Sequence, residues 1–138
     1  LTMDLIETFT KVAELLEVHN LEEALVHLDR VERDIPDSGP AQKIAGQLYQ
    51  RLGVDAKSLS YISRAQELLP DDTSLLLNLG YHHLDNGAPS QAVAYFSQYL
   101  AIEPATPRIL CFLGRAYDYS GDKTEAERCV APCRRNGP

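Results

Sequence analysis

Three cysteines in the last quarter of the sequence raise the question of a metal site. Cys129 and Cys133 are spaced i, i+4, and Cys111 lies on the preceding predicted helix. A zinc site would need a fourth ligand, and Pro132 interrupts the segment that carries two of the thiols. We therefore predict packed or incidental cysteines and no metal. An odd number of cysteines also indicates no disulfide framework, which favours a reducing, cytoplasmic location.

The adjacent His82 and His83 do not form a metal pair, because neighbours on a helix point about 100° apart. We expect both to be structural. The sequence contains no nucleophile elbow, phosphate-binding loop or acid–base dyad. These observations predict a protein that is not an enzyme and needs no cofactor.

Charge narrows the choice of partners. The 138 residues carry a net charge of -7, with -7 on residues 1–38, none on 39–72, -2 on 73–104 and +2 on 105–138. An acidic chain is a poor match for nucleic acid or for an anionic membrane surface. No apolar run approaches the roughly 18 residues of a membrane helix. We expect a protein or peptide partner, and no nucleic acid or membrane.

Several residue types recur every 34 positions, which indicates a repeat protein. The recurring columns are Pro36, Pro70, Pro104 and Pro138; Gly46, Gly80 and Gly114; Gly53, Gly87 and Gly121; Ala24, Ser58, Ala92 and Ala126; and Leu28, Ile62, Phe96 and Val130. Agreement of five columns at one spacing is very improbable by chance in a chain of this length.

The third repeat shows how each unit is expected to fold. Asp72 or Thr73 caps a helix that ends at Gly87, and Pro89 begins a second helix that ends at Pro104. Gly80 lets the two helices approach closely. Each unit is then a helical hairpin that covers its open face by stacking on a neighbour, so we predict eight helices in four antiparallel pairs forming an all-α solenoid.

The chain resembles the tetratricopeptide repeat family, whose pattern is Trp-x2-Leu-Gly-x2-Tyr, then Ala-x3-Phe, then Pro. Repeat four matches it at Leu110, Leu113, Gly114, Tyr117, Ala126 and Pro138, and repeat three at Leu76, Leu79, Gly80, Ala92, Phe96 and Pro104. The resemblance implies a right-handed superhelical solenoid. It makes residues 1–138 one domain with repeats of approximately 5–38, 39–72, 73–106 and 107–138.

Both ends depart from the family pattern. In repeat one, Lys11 and Val12 replace the leucine and glycine, and His19 stands at the turn. In repeat four, Pro132 falls inside the last helix, and no capping helix follows. We expect exposed apolar surface from Leu110, Leu113 and Val130, and therefore a longer natural polypeptide, a covering partner or self-association through this end.

The resemblance also implies a binding site, because first helices of such repeats line a concave groove. The corresponding groove residues are Lys43, Gln47, Leu77, Asn78, Tyr81, Arg108, Phe112, Arg115 and Tyr119. Arginine and tyrosine are enriched at binding hot spots. We predict a scaffold that holds a peptide or partner protein, with acidic groups on the ligand.

Three alternatives stay open. A carboxylate clamp of the kind found in one subfamily would use Lys43, Asn78 and Arg108, although Gln47 and Phe112 replace two of its five residues. The size, acidity and repeat type also resemble export chaperones of type III secretion translocators. The third alternative is a non-catalytic accessory domain fused to an enzyme.

Overall fold

The structure, a computed structural model, describes the backbone of residues 1–136 and the side chains of residues 1–131. This part of the chain contains eight α-helices, a short 3-10 turn and no strand. The helices are α1 (Met3–Glu17), α2 (Leu21–Val31), α3 (Gly39–Arg51), α4 (Asp55–Leu68), α5 (Thr73–Asp85), α6 (Pro89–Ile102), α7 (Pro107–Ser120) and α8 (Lys123–Asn136). The predicted all-α class and the number of helices are confirmed.

The chain divides into two compact units. The first unit is Leu1–Pro70 and contains α1 to α4; the second is Asp71–Pro138 and contains α5 to α8. Within each unit, consecutive helices pack as antiparallel pairs joined by turns of two or three residues.

Helix starts follow the local signals in the sequence. Ser38, Asp72 and Thr106 each accept a hydrogen bond from a backbone N–H of the first turn that follows, which satisfies a donor the helix itself cannot pair. Pro89 lies in the first turn of α6, where its missing N–H costs nothing. The predicted roles of Asp72 and Pro89 are therefore confirmed.

The turn between paired helices requires a left-handed backbone. Gly53, Gly87 and Gly121 adopt φ values of 78°, 75° and 93° there. Glycine reaches this region without the steric cost that a Cβ imposes. In the first pair the same turn contains His19, at φ 59°, the one non-glycine residue with positive φ in the described chain. Repeat one therefore keeps the turn geometry with a less suitable residue.

Close approach of the paired helices explains the glycine column inside the helices. A methyl group added to Gly46, Gly80 or Gly114 would lie 2.7, 2.6 or 2.5 Å, respectively, from a side chain of the following helix. These side chains are Ile62, Phe96 and Val130, in the same order. These pairs are each 16 residues apart, so one packing arrangement recurs in three repeats. In repeat one Val12 takes the glycine position and is fully buried.

A stack of rings recurs at the same 34-residue step. Tyr49 stacks on Tyr61 with ring centroids 5.6 Å apart, and His83 stacks on Tyr95 at 5.5 Å. His83 is half-buried rather than deep in the core. Burial, with a smaller effect of His82, lowers the pKa of His83. The neutral ring is therefore favoured, as a packing role requires.

An ionic network ties the two helix pairs of the first unit together. The Lys57 ammonium donates to Asp29 at 3.3 Å and to Glu32 at 2.9 Å, while the hydroxyls of Tyr49 and Tyr61 donate to Asp29 and Glu32 at 2.8 and 3.1 Å. The hydrogen bond from Lys57 holds the pKa of Glu32 below its ordinary value. Burial, followed by Glu32, raises the pKa of Tyr61 to about 12. Sequence reasoning did not find this network.

The last repeat differs from expectation at its end. Leu113 is only 5% exposed, and Leu110 and Val130 are half-buried, so the apolar surface expected from them is largely covered. Leu113 packs with Phe96 and Ala116 in the core of the second unit. α8 continues to Asn136, so Pro132 does not end the helix.

Candidate functional site

Four predicted site residues form one stripe along α7. Arg108, Phe112, Arg115 and Tyr119 follow one another at intervals of four, three and four residues, which places them on the same side of a helix. Arg108, Arg115 and Tyr119 are exposed, Tyr119 at 64%, and Phe112 is half-buried. A row of two cations and two aromatic rings is therefore available to a ligand.

Aromatic contacts connect this stripe to α5. The Tyr81 ring meets the Phe112 ring edge-on at 4.8 Å and the Phe96 ring at 5.4 Å. The guanidinium of Arg115 lies 5.3 Å from the centroid of Phe112, within the range of a cation–π contact. The structure thus brings Tyr81, Phe112 and Arg115 together, while their role in ligand binding stays a prediction. Because Phe96 is fully buried, the row of rings is anchored in the core.

The other predicted residues of α5 border this row. Leu77 is half-buried and packs with the same hydrophobic cluster as Tyr81 and Phe112. Asn78 is half-buried on the same helix. α5 therefore supplies an apolar and an amide side chain next to the aromatic row.

Ion pairing separates the cations of the second unit into two groups. Lys123 pairs with Asp118 and Arg128 with Glu125, both on the surface. Arg108 and Arg115 have no carboxylate partner among the described residues. Among the side chains that the structure describes in this unit, the two arginines of the stripe are consequently the cations available to an external anion.

Two predicted site residues, Lys43 and Gln47, belong to the first unit. Both lie on α3, where Lys43 is half-buried and Gln47 is exposed. Their membership of one binding surface with the residues of α5 and α7 stays a prediction, as does the carboxylate clamp.

A cleft of about 550 Å³ lies beside the stripe, between α7 and α8. Its lining combines small or apolar residues with charged and aromatic ones: Cys111, Gly114, Ala126, Val130, Arg115, Asp118, Tyr119, Lys123 and Glu127. Charge sets this lining apart from the equivalent surface of repeat three.

The comparison with repeat three explains the polarity of the cleft. The positions of Arg115, Asp118 and Glu127 correspond, 34 residues earlier, to Tyr81, Leu84 and Val93 of repeat three. Those three residues of repeat three pack in the hydrophobic cluster that also holds Leu113 and Ala116 of α7. In repeat three this surface therefore receives the next helix. Charged residues at the three equivalent positions make this face of repeat four more compatible with water than the corresponding face of repeat three.

The cysteines and histidines do not form a chemical site among the described residues. No group of three or more histidine, cysteine or acidic side chains there is arranged to hold a metal ion. Cys129 is a free thiol whose pKa is raised by burial. Cys111 is disulfide-bonded, which corrects the expectation that the cysteines stay unpaired. His82 contacts Asn86 at 3.5 Å.

Antiparallel helix pairs that repeat every 34 residues define an all-α, tetratricopeptide-like fold. Solved structures of MamA support this assignment. The chain is 19% identical to one MamA structure over 91% of its own length and 68% of that chain, with a TM-score of 0.74. The MamA MSR-1 C2 structure is 15% identical over 98% of this chain and 79% of that chain, with a TM-score of 0.81. A further MamA crystal structure is 18% identical over 95% of this chain and 77% of that chain, with a TM-score of 0.75.

Sequence comparisons add no family. No protein-family model matches the chain, and no curated protein matches it. The similarity to MamA therefore concerns the fold alone. None of the described helices is both long and apolar enough to cross a membrane.

Proposed function

We propose that this protein is an interaction module and that the face formed by α5 and α7 of the second unit binds an acidic segment of a partner protein. Arg108 and Arg115 carry the proposal, because both are exposed and neither has a carboxylate partner among the described residues. Arg115 also lies against the Phe112 ring.

The spacing of these groups indicates the chemistry of the ligand. Seven residues of helix place Arg108 and Arg115 about 10.5 Å apart along the axis. A ligand with carboxylates at that separation and an apolar side chain between them would pair with both guanidinium groups and contact Phe112. Hydrogen bonds between charged groups contribute about 1.5–3 kcal/mol each when they are desolvated.

The proposed face lies within the second unit. For Lys43 and Gln47 of the first unit, ligand binding stays a prediction that the resemblance to tetratricopeptide repeats implies. The proposal includes no chemical step, so the ligand is held and not converted.

The test uses synthetic peptides and a paired set of variants. Fluorescence anisotropy should show that peptides with acidic residues around a leucine or phenylalanine bind. Control peptides of the same length, in which lysine replaces each acidic residue, should not bind. Arg108→Ala with Arg115→Ala should weaken binding at least about tenfold. Lys123→Ala with Arg128→Ala removes the same charge from internally paired positions and should bind nearly as the natural chain does.

Circular dichroism separates loss of binding from loss of fold. Equal binding by the folded Arg108→Ala, Arg115→Ala variant would overturn the assignment of the site to α7. Equal weakening by the control variant would show that net charge, and not the stripe, controls the affinity.

A further inference from the structure

The first helix of the protein carries an exposed stripe that matches the α7 stripe in spacing. Met3, Glu7, Thr10 and Glu14 follow one another at intervals of four, three and four residues, and all four are exposed. The buried residues of α1, such as Phe9 and Val12, lie on the other side of the helix. The stripe is therefore a second face of α1, distinct from the one that holds the first unit together.

The residue types in the two stripes complement each other when the helices run antiparallel. Glu14 then faces Arg108, Thr10 faces Phe112, Glu7 faces Arg115 and Met3 faces Tyr119. Intervals of four and three residues are those of the seam of a coiled coil, along which two helices keep contact over several turns. Both helices are long enough, with 15 residues in α1 and 14 in α7.

Each pair of facing residues in this alignment is physically favourable. Glu7 and Glu14 have no ion-pair partner among the described residues, and neither do Arg108 and Arg115. Met3 is 70% exposed and Tyr119 64%, and a thioether packs favourably against an aromatic ring.

Thr10 is also suited to face an aromatic ring. Its hydroxyl already donates to the Ile6 carbonyl at 2.9 Å. Burying Thr10 against Phe112 would therefore leave no unsatisfied donor. Ile6, 41% exposed beside the stripe, adds apolar surface to the same face.

From this match we infer that the acidic segment bound by the α7 stripe is α1 of a second copy of the chain. The inference rests on the proposed function, because it assigns an occupant to the same face of α7. Two different patches meet in this contact, so the two copies either close into a dimer through two such contacts or add further copies end to end.

Charge reversal with rescue tests the contact. Sedimentation velocity on the natural chain should show association that weakens as salt increases, since exposed ion pairs are screened. Glu7→Arg with Glu14→Arg, and separately Arg108→Glu with Arg115→Glu, should each raise the dissociation constant at least about tenfold. An equimolar mixture of the two variants should associate again, because each reversed stripe then meets its complement.

Matched controls keep the same change in net charge at other positions. Glu22→Arg with Asp34→Arg is the control for α1, and Lys123→Glu with Arg128→Glu is the control for α7; both should associate as the natural chain does. A single chain that carries all four stripe reversals should also associate, which shows that the reversed positions are compatible with folding.

The outcomes separate this inference from the proposed function. A natural chain that stays monomeric up to about 1 mM, or variants that fail to associate on mixing although circular dichroism shows them folded, would overturn the inference. In that case loss of acidic-peptide binding in the Arg108→Ala, Arg115→Ala variant would still support the proposed function. Association that persists in both reversed variants would place the contact between copies elsewhere.

Discussion

At the scale of single residues, the packing of paired helices depends on glycines, which have no side chain, as much as on large buried side chains. Gly80 has no Cβ, and the space that a methyl group would need is occupied by the ring of Phe96, at 2.6 to 2.9 Å. Phe96 in turn supports Tyr81 and, through it, Phe112 of the proposed site. The absence of a Cβ at Gly80 therefore allows the packing of α5 on α6 and places Phe96 where it supports the aromatic row.

We expect Gly80→Ala to lower the free energy of unfolding by about 1–3 kcal/mol, because the ring of a fully buried phenylalanine must move. The direction of the change is informative, because replacing glycine with alanine at an open position inside a helix raises the free energy of unfolding by about 1 kcal/mol. Urea unfolding followed by circular dichroism measures it. Ser97→Ala, at an exposed position of α6, should stay within about 0.5 kcal/mol. A Gly80→Ala variant as stable as the natural chain would contradict the packing described.

At the scale of helices and turns, repeat one is the weakest copy of the pattern. Its two helices have regular side-chain caps, in which Thr2 and Asn20 accept from Leu5 and Glu23. Its turn, however, holds His19 in the left-handed region where the other three turns use glycine. The exposed imidazole has no described partner that offsets this cost.

Replacing His19 with glycine should therefore raise the free energy of unfolding by about 0.5–1 kcal/mol, through relief of the unfavourable backbone conformation. Thermal unfolding measures the change. His19→Ala keeps the Cβ and should bring no gain, so it separates backbone strain from loss of the imidazole. Gly121→Ala is the opposite substitution at an equivalent turn and should be destabilising. A glycine variant less stable than the natural chain would show that His19 makes a contact of its own.

At the scale of the whole molecule, charge varies strongly along the chain. Residues 1–38 carry a net -7, and residues 105–138 carry +2. Part of the acidic charge is used internally, since Asp29 and Glu32 hold Lys57 and the two tyrosines. Other acids, among them Glu7 and Glu14, have no described partner and are the basis of the proposed contact between copies.

The network at Glu32 makes stability depend on pH in a defined direction. Because the folded-state pKa of Glu32 lies below its ordinary value of 4.5, its contribution is fully present above pH 4.5 and is lost as the pH falls through the folded pKa. The free energy of unfolding should exceed that of a Glu32→Gln variant by up to about 1 kcal/mol near neutrality, since the pair is partly exposed.

Urea unfolding of both proteins across the acidic range measures this difference. It should shrink as the pH falls below 4.5. A constant difference at every pH would show that Glu32 acts through packing or through hydrogen bonds that do not depend on its charge.

The sequence alone determined the helical architecture of this protein. Prolines and glycines at a fixed 34-residue step specify where helices start and end, because each acts through its own backbone geometry and needs no distant partner. The stripe on α7 was also foreseeable, since helical spacing sets which residues share a face.

Tertiary structure decided the features that depend on partners far apart in sequence. The network of Lys57 with Asp29 and Glu32 joins residues 25 and more positions apart, and nothing local marks it. Packing likewise buried Leu113, which the sequence led us to expect at the surface. The availability of Arg108 and Arg115 also emerged only from the folded chain, because ion pairs depend on where side chains meet, while the repeat pattern specifies only the backbone that carries them.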